Sequence, residues 1–222
     1  MKDFVPSMCR LLLIAGLCAG GPAVEPAQAQ DPAEAMSVQA QRECDMGRRA
    51  TDREARLAHF ENGQSLAEQA VAMNDRLADA HFALFCSLGE QLRIDGESMT
   101  SVFGFRRVMK ELDRTLELNP DHLDALSSKG TFLVRLPALF GGDGQKGERL
   151  LRRVIQRAPK AINARLSLAK AYADRGRRQE ALTLAQEALD LARTENRTDL
   201  IPEAQSTVSE LEPQAGHLMR HP

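Results

Sequence analysis

The chain has 222 residues, with 29 Lys and Arg against 31 Asp and Glu, a formal charge of −2, and 43% hydrophobic residues. This balance gives no electrostatic case for nucleic acid or an anionic membrane as a partner. One tyrosine and no tryptophan argue against an aromatic cage or a base-stacking platform.

Residues 1–29 read as a cleaved export signal. Lys2 and Arg10 give a basic start, Leu11 to Ala19 is a short apolar core ended by Gly20, Gly21 and Pro22, and Ala27 and Ala29 supply the small residues of a cleavage site. The apolar run is far short of the roughly 20 residues that span a bilayer, so no integral membrane segment is expected after removal. Leu17 precedes Cys18, which does not suit lipid attachment. The expected location is the periplasm or the medium.

Residues 30–38 are expected as a linker, 39–212 as one helical domain and 213–222 as a flexible tail. Apolar residues recur at helical spacing almost throughout, with few β-branched runs. The first helix is placed at Gln39–Arg49 and a closing partner at Ser65–Met73. Ala80–Ile94 and Phe105–Leu118 follow, separated by a long polar loop. Asn119-Pro120 and Ala158-Pro159 end two helices, and each proline is followed five residues later by an alanine, Ala125 or Ala164. The surplus length between these prolines sits in Leu136–Asp143, ahead of a helix at Gln145–Ala158. Ile162–Arg193 reads as a helix, a turn at Gly176 and a second helix. A polar capping helix starts near Pro202 and ends around Leu211.

Cys44 and Cys86 are the cysteines outside the leader. An oxidising compartment permits a bridge between them, while the apolar face around Cys86 (Phe82, Phe85, Leu88) equally suits a buried thiol. Leu136-Pro-Ala-Leu-Phe140 is bulky for a loop. It is expected to fold back on the helices, or otherwise to form a pocket or a partner-facing patch.

Leu168, Ala169, Tyr172, Ala181, Ala185 and Ala188 occupy the slots of a repeat of about 34 residues in which small side chains let helices approach closely. Arg165 stands where tryptophan is common, and Arg193 where proline would close the repeat. On these residues the chain resembles the tetratricopeptide (TPR) family. The resemblance implies an all-α TPR-like helical-hairpin solenoid of about three and a half repeats with a C-terminal capping helix. It also implies a non-catalytic module that binds a protein or peptide in a concave groove lined by first helices. Carried over by position, that groove takes Asn163, Leu166, Lys170 and Asp174 from the last repeat, Asp124, Ser127, Thr131 and Arg135 from the one before, and Phe82 from the one before that. The repeated Lys and Asn positions of a carboxylate clamp are missing. The Leu-Pro…Gly-Gly-Asp loop also resembles the T-component associated with TRAP-type transporters, which would imply the alternative of a small hydrophobic ligand.

Candidate chemistry is thin. Phe140–Gly147 lacks the Gly-Lys-Ser/Thr order and the preceding strand of a phosphate loop, and reads as a glycine turn. The five histidines (His59, His81, His122, His217, His221) show no zinc spacing, and no Gly-x-Ser-x-Gly elbow accompanies them. A Ser-His-Asp set could meet only in the fold. No catalytic residue, metal or cofactor is therefore assigned. Basic runs at Arg106–Arg114, Arg149–Arg157 and Arg175–Arg178 read as solvated helix faces with compensating acids.

Overall fold

The computed structural model describes residues 31–94 and 102–212, so the expected signal at 1–29, the expected long loop at 95–101 and the expected tail from 213 lie outside the described residues. The described residues form α1 (Pro32–Arg49), α2 (Arg53–Met73), α3 (Ala78–Ile94), α4 (Val102–Leu118), α5 (Leu123–Arg135), α6 (Gly144–Arg157), α7 (Ile162–Ala173), α8 (Arg178–Thr194) and α9 (Ile201–Leu211), with a 3-10 turn at Ala138–Phe140. Consecutive helices pack as antiparallel hairpins, α1–α2, α3–α4, α5–α6 and α7–α8, and α9 closes the stack on α8. This is the expected all-α hairpin solenoid.

The first hairpin begins earlier than its sequence suggested. The linker expected through residue 38 is helical from Pro32, because Asp31 accepts a hydrogen bond from the Ala33 N–H (2.9 Å) and the proline sits at the first helical position. Ala33, Ser37, Ala40 and Cys44 then form its buried stripe. α2 likewise starts well before Ser65, at Arg53, with Asp52 accepting from the Ala55 N–H at 2.9 Å. Its contact face is built from Phe60, Gly63, Ala67 and Ala70. A Cβ on Gly63 would lie 2.6 Å from the Ser87 Oγ and 3.2 Å from the Ala40 carbonyl. Only glycine lets α2 approach both neighbours this closely.

A disulfide joins Cys44 on α1 to Cys86 on α3, with Cα atoms 6.3 Å apart. Cys44, Cys86 and Phe60 make a small buried cluster of their own, and Arg48 Nε donates to Glu90 Oε1 (2.8 Å) one turn beyond the bridge.

The last hairpin follows the sequence closely. Leu168, Ala169, Tyr172, Ala181, Ala185 and Ala188 are all buried in one large cluster that extends to Ala204, Val208 and Leu211 of α9. Arg165, in the slot where tryptophan is common, is buried with its Nε 3.1 Å from Glu187 and its Nη1 on the Ala161 carbonyl. With no proline at 193, α8 runs on to Thr194. Arg178 donates to the carbonyls of Glu210, Leu211 and Glu212 at the end of α9 (2.8–3.2 Å), placing a cation where the helix leaves its acceptors unpaired.

Between the second and third hairpins the contact is aromatic. Phe82 stacks on His122 (4.6 Å between centroids), Phe85 meets Phe132 edge-on (6.3 Å), and Phe105 meets the same ring from α4 (5.9 Å). His122 also caps α5: its Nδ1 accepts from the Ala125 N–H at 3.3 Å, and its Nε2 lies 3.2 Å from Asp79 on α3.

Candidate functional site

The side chains expected to line a groove separate into two groups. Leu166 (2% exposed) and Phe82 (6%) belong to the core, so neither offers a face to a partner. Leu166 lies one residue, or about 100° of helix, from Ser167, which instead faces Thr131 of α5. Phe82 is turned into the aromatic seam by Phe85 and His122.

The remaining residues form two stripes on neighbouring helices. On α5, Asp124 and Arg135 are exposed and Ser127 and Thr131 are half-buried; on α7, Asn163 and Asp174 are exposed and Lys170 is half-buried. Packing of α5 on α7 brings the stripes side by side. The Thr131 hydroxyl donates to the Ser127 carbonyl (2.9 Å) and lies 2.8 Å from the Ser167 hydroxyl, which bridges the two helices. Lys170 Nζ reaches Glu203 of α9 at 2.7 Å, closing the stripe at the capping end. Ser167 and Glu203, which touch these stripes, were not singled out in the sequence. Ser167 was legible as the step four residues beyond Asn163, whereas Glu203 depends on where α9 docks.

A denser polar cluster ties α6 to the turn between α7 and α8. The Tyr172 hydroxyl donates to Glu148 Oε1 (2.8 Å) and accepts from Arg152 (2.6 and 2.9 Å), and Arg177 lies 3.6 Å over the ring. Arg175 and Arg177 also bond Glu148 (3.0 and 3.2 Å). Burial opposes ionisation of Glu148, but the Tyr172 hydroxyl and the guanidiniums outweigh it and hold the carboxyl below its ordinary value. Each polar group has its partner inside the cluster, which makes it a clamp between hairpins.

The basic runs are therefore not simply solvated faces. Arg107 pairs with Glu68 of α2, Arg114 with Asp75, and Arg153 and Arg157 both with Asp121. Glu68 lies on α2, and Asp75 and Asp121 lie in the turns before α3 and α5.

His81 is buried in a similar tie, its Nδ1 2.6 Å from Glu111 and its Nε2 3.0 Å from the Asp75 carbonyl. Both ring nitrogens face acceptors, an arrangement that favours the doubly protonated ring. Burial pushes its pKa down, and the bonds to Glu111 and Asp75 more than reverse this, leaving it above the ordinary histidine value. His59 faces Glu43 at 2.7 Å. Among the described residues no hydrogen bond joins a histidine to a Ser, Thr or Cys side chain, and no three His, Cys, Asp or Glu side chains converge as a metal site.

The Leu136–Phe140 segment does not fold back on the helices: Leu139 is 89% exposed and Phe140 68%. An open depression of about 470 Å³ lies along α4, lined by charged Arg106, Lys110, Asp113, Arg114 and Glu117 with Phe105 and Met109, and it includes no residue of that turn. Among the described residues no helix is long and apolar enough to cross a membrane.

The architecture is that of the TPR solenoids. The chain is similar to TTC0263, a thermophilic TPR protein of Thermus thermophilus, with a TM-score of 0.56, 20% identity, and coverage of 81% of this chain and 82% of that one. It is also similar, at a lower TM-score of 0.48 and 17% identity, to MamA residues 41 to the end from Desulfovibrio magneticus RS-1, over 82% of this chain and 93% of that one. No family model and no curated protein matches the chain.

Proposed function

We propose that this protein is an exported, non-catalytic adaptor that holds a peptide or protein segment along the stripe formed by α5 and α7. The observation that carries the reading is the alignment of Asp124, Ser127 and Thr131 with Asn163, Ser167 and Lys170 across two packed first helices. In a TPR stack these helices face the concave side, and this floor offers hydroxyl, amide and charged groups within reach of a peptide backbone. The paired Cys44 and Cys86 support export, because such bonds persist in oxidising compartments. A cleaved signal at residues 1–29 would deliver the chain there.

The test is purification from the exported fraction, with mass spectrometry of the proteins that co-elute in stoichiometric amounts. Asp124→Arg with Asp174→Arg reverses charge at two exposed positions of the stripe. It is expected to weaken the captured partner at least tenfold while leaving the helical circular dichroism unchanged. Full retention of the partner by this variant would exclude the groove.

A further inference from the structure

The 3-10 turn at Ala138–Phe140 holds two large apolar side chains out in water, and its backbone is built to keep them there. Phe140 N–H and Gly142 N–H both donate to the Pro137 carbonyl (2.9 and 3.1 Å), Gly141 N–H donates to Ala138 (3.0 Å), and Asp143 N–H reaches back to Leu133 (3.0 Å). Gly141 adopts φ 87°, and a Cβ on Gly142 would fall 1.7 Å from the Leu136 carbonyl, so the turn needs glycine at both places. An apolar loop free to collapse would cover Leu139 and Phe140; this one presents them.

The surroundings of the tip are basic. Arg135 precedes it, and Lys146 and Arg149 follow on the first turns of α6; all three are exposed, and among the described residues none has an ion-pair partner. The guanidinium of Arg175 lies at the foot of the turn, against Gly144. The acids here are engaged: Asp143 caps α6 and Glu148 is held by Arg152, Arg175 and Arg177. The formal charge of −2 thus conceals, among the described residues, exposed cations without ion-pair partners in the segments that flank this apolar point.

We propose that the Leu139–Phe140 tip docks the protein on an anionic lipid surface, the two side chains entering the headgroup–acyl boundary while Arg135, Lys146 and Arg149 meet lipid phosphates. A convex tip of two residues favours lipid over a protein partner. Alone it falls well short of the roughly 1,000 Å² that a specific protein interface buries, whereas interfacial binding scales with inserted apolar area plus attraction to anionic headgroups. Its reach is set by screening, with a Debye length of about 8 Å at physiological salt. The protein would be peripheral and reversibly attached.

The experiment is flotation of the exported protein, its N-terminus verified as processed, with vesicles of equal phosphatidylglycerol and phosphatidylcholine and with phosphatidylcholine alone. Binding to the anionic vesicles is expected. It should fall at least tenfold in Leu139→Gln with Phe140→Gln and in Arg135→Gln with Lys146→Gln and Arg149→Gln, with circular dichroism unchanged. It should also fall in 0.5 M salt, where the Debye length is roughly 4 Å against about 10 Å at 0.1 M. No flotation of the wild type, equal flotation with neutral vesicles, or variants that float as well as the wild type would each overturn the proposal. Loss of a co-purifying protein from the Leu139/Phe140 variant, with no flotation of the wild type, would overturn it in favour of a protein interface.

Discussion

Reducing the Cys44–Cys86 bond perturbs the N-terminal half of the stack without changing a residue. The bond closes a loop of sequence separation 42. Chain-entropy arithmetic for a loop of that length gives about 4 kcal/mol of stabilisation through the unfolded state. The native contacts that would remain are the Arg48–Glu90 pair (2.8 Å) and the apolar packing of Ala40, Ala67, Ala83 and Leu84, so α1 and α3 keep their positions but lose their covalent tie. Urea unfolding followed by circular dichroism should shift to lower denaturant by roughly 2 M, taking a slope of about 2 kcal/mol/M. Hydrogen exchange should locate the loss in α1–α3, with α7–α9 protected as before, because stacked repeats contact only their neighbours. Coincident transitions in the oxidised and reduced protein would refute the reasoning. Two titratable thiols in protein taken directly from the exported fraction would in addition remove the disulfide as support for export.

The pH dependence has a definite sign. The pKa of His81 is raised in the folded state by Glu111 and Asp75 against the opposing effect of burial, so its contribution is complete below the unfolded value and is lost as pH rises through the folded one. Thermal midpoints of the wild type should therefore fall on passing upward from pH 6.5, and His81→Gln should lack this component; a wild type that gains stability over that range would contradict the doubly protonated ring. Tyr172→Phe removes the hydroxyl between Arg152 and Glu148 while keeping the ring in the core. It is expected to cost about 1–2 kcal/mol in urea unfolding, as a hydrogen bond to charged groups does, and a change below a few tenths would show the clamp to be ornamental.

The last hairpin was legible because its packing residues are the ones a repeat requires: alanines where backbones approach, Tyr172 against α6 and Gly176, at φ 75°, in the turn. The first hairpin was not, because its contact face is made of residues that carry little hydrophobic signal. α2 buries Phe60, Gly63, Ala67 and Ala70. A reading based on apolar periodicity sees one phenylalanine there and takes the glycine as a break, when it is the point of closest approach. Of the residues expected on one face, those on α5 are exposed or half-buried, whereas on α7 Leu166 is buried and its neighbour Ser167 is the one that meets Thr131. The 3-10 turn misled for another reason. Hydrophobicity alone sends Leu139 and Phe140 inward, and the backbone hydrogen bonds that hold them outward depend on distances no residue pattern encodes.

The stack uses two kinds of seam, and the difference bears on where a partner can sit. Between α5 and α7 small and hydroxyl-bearing residues allow close packing, so Ser127, Thr131 and Ser167 form a continuous floor. Between α3 and α5 the contact passes through Phe82, Phe85, Phe132 and His122, and Phe82 and Phe85 are buried in the core. A segment held along α5 and α7, as proposed, would meet the polar groups of that stripe as far as Asp124, with the buried aromatic step between α5 and α3 beyond it. The disulfide lies on the far side of that step, where it stabilises α1 and α3 without touching the floor. On the proposed reading, reduction of the bond should destabilise the N-terminal half while leaving partner binding along α5 and α7 intact.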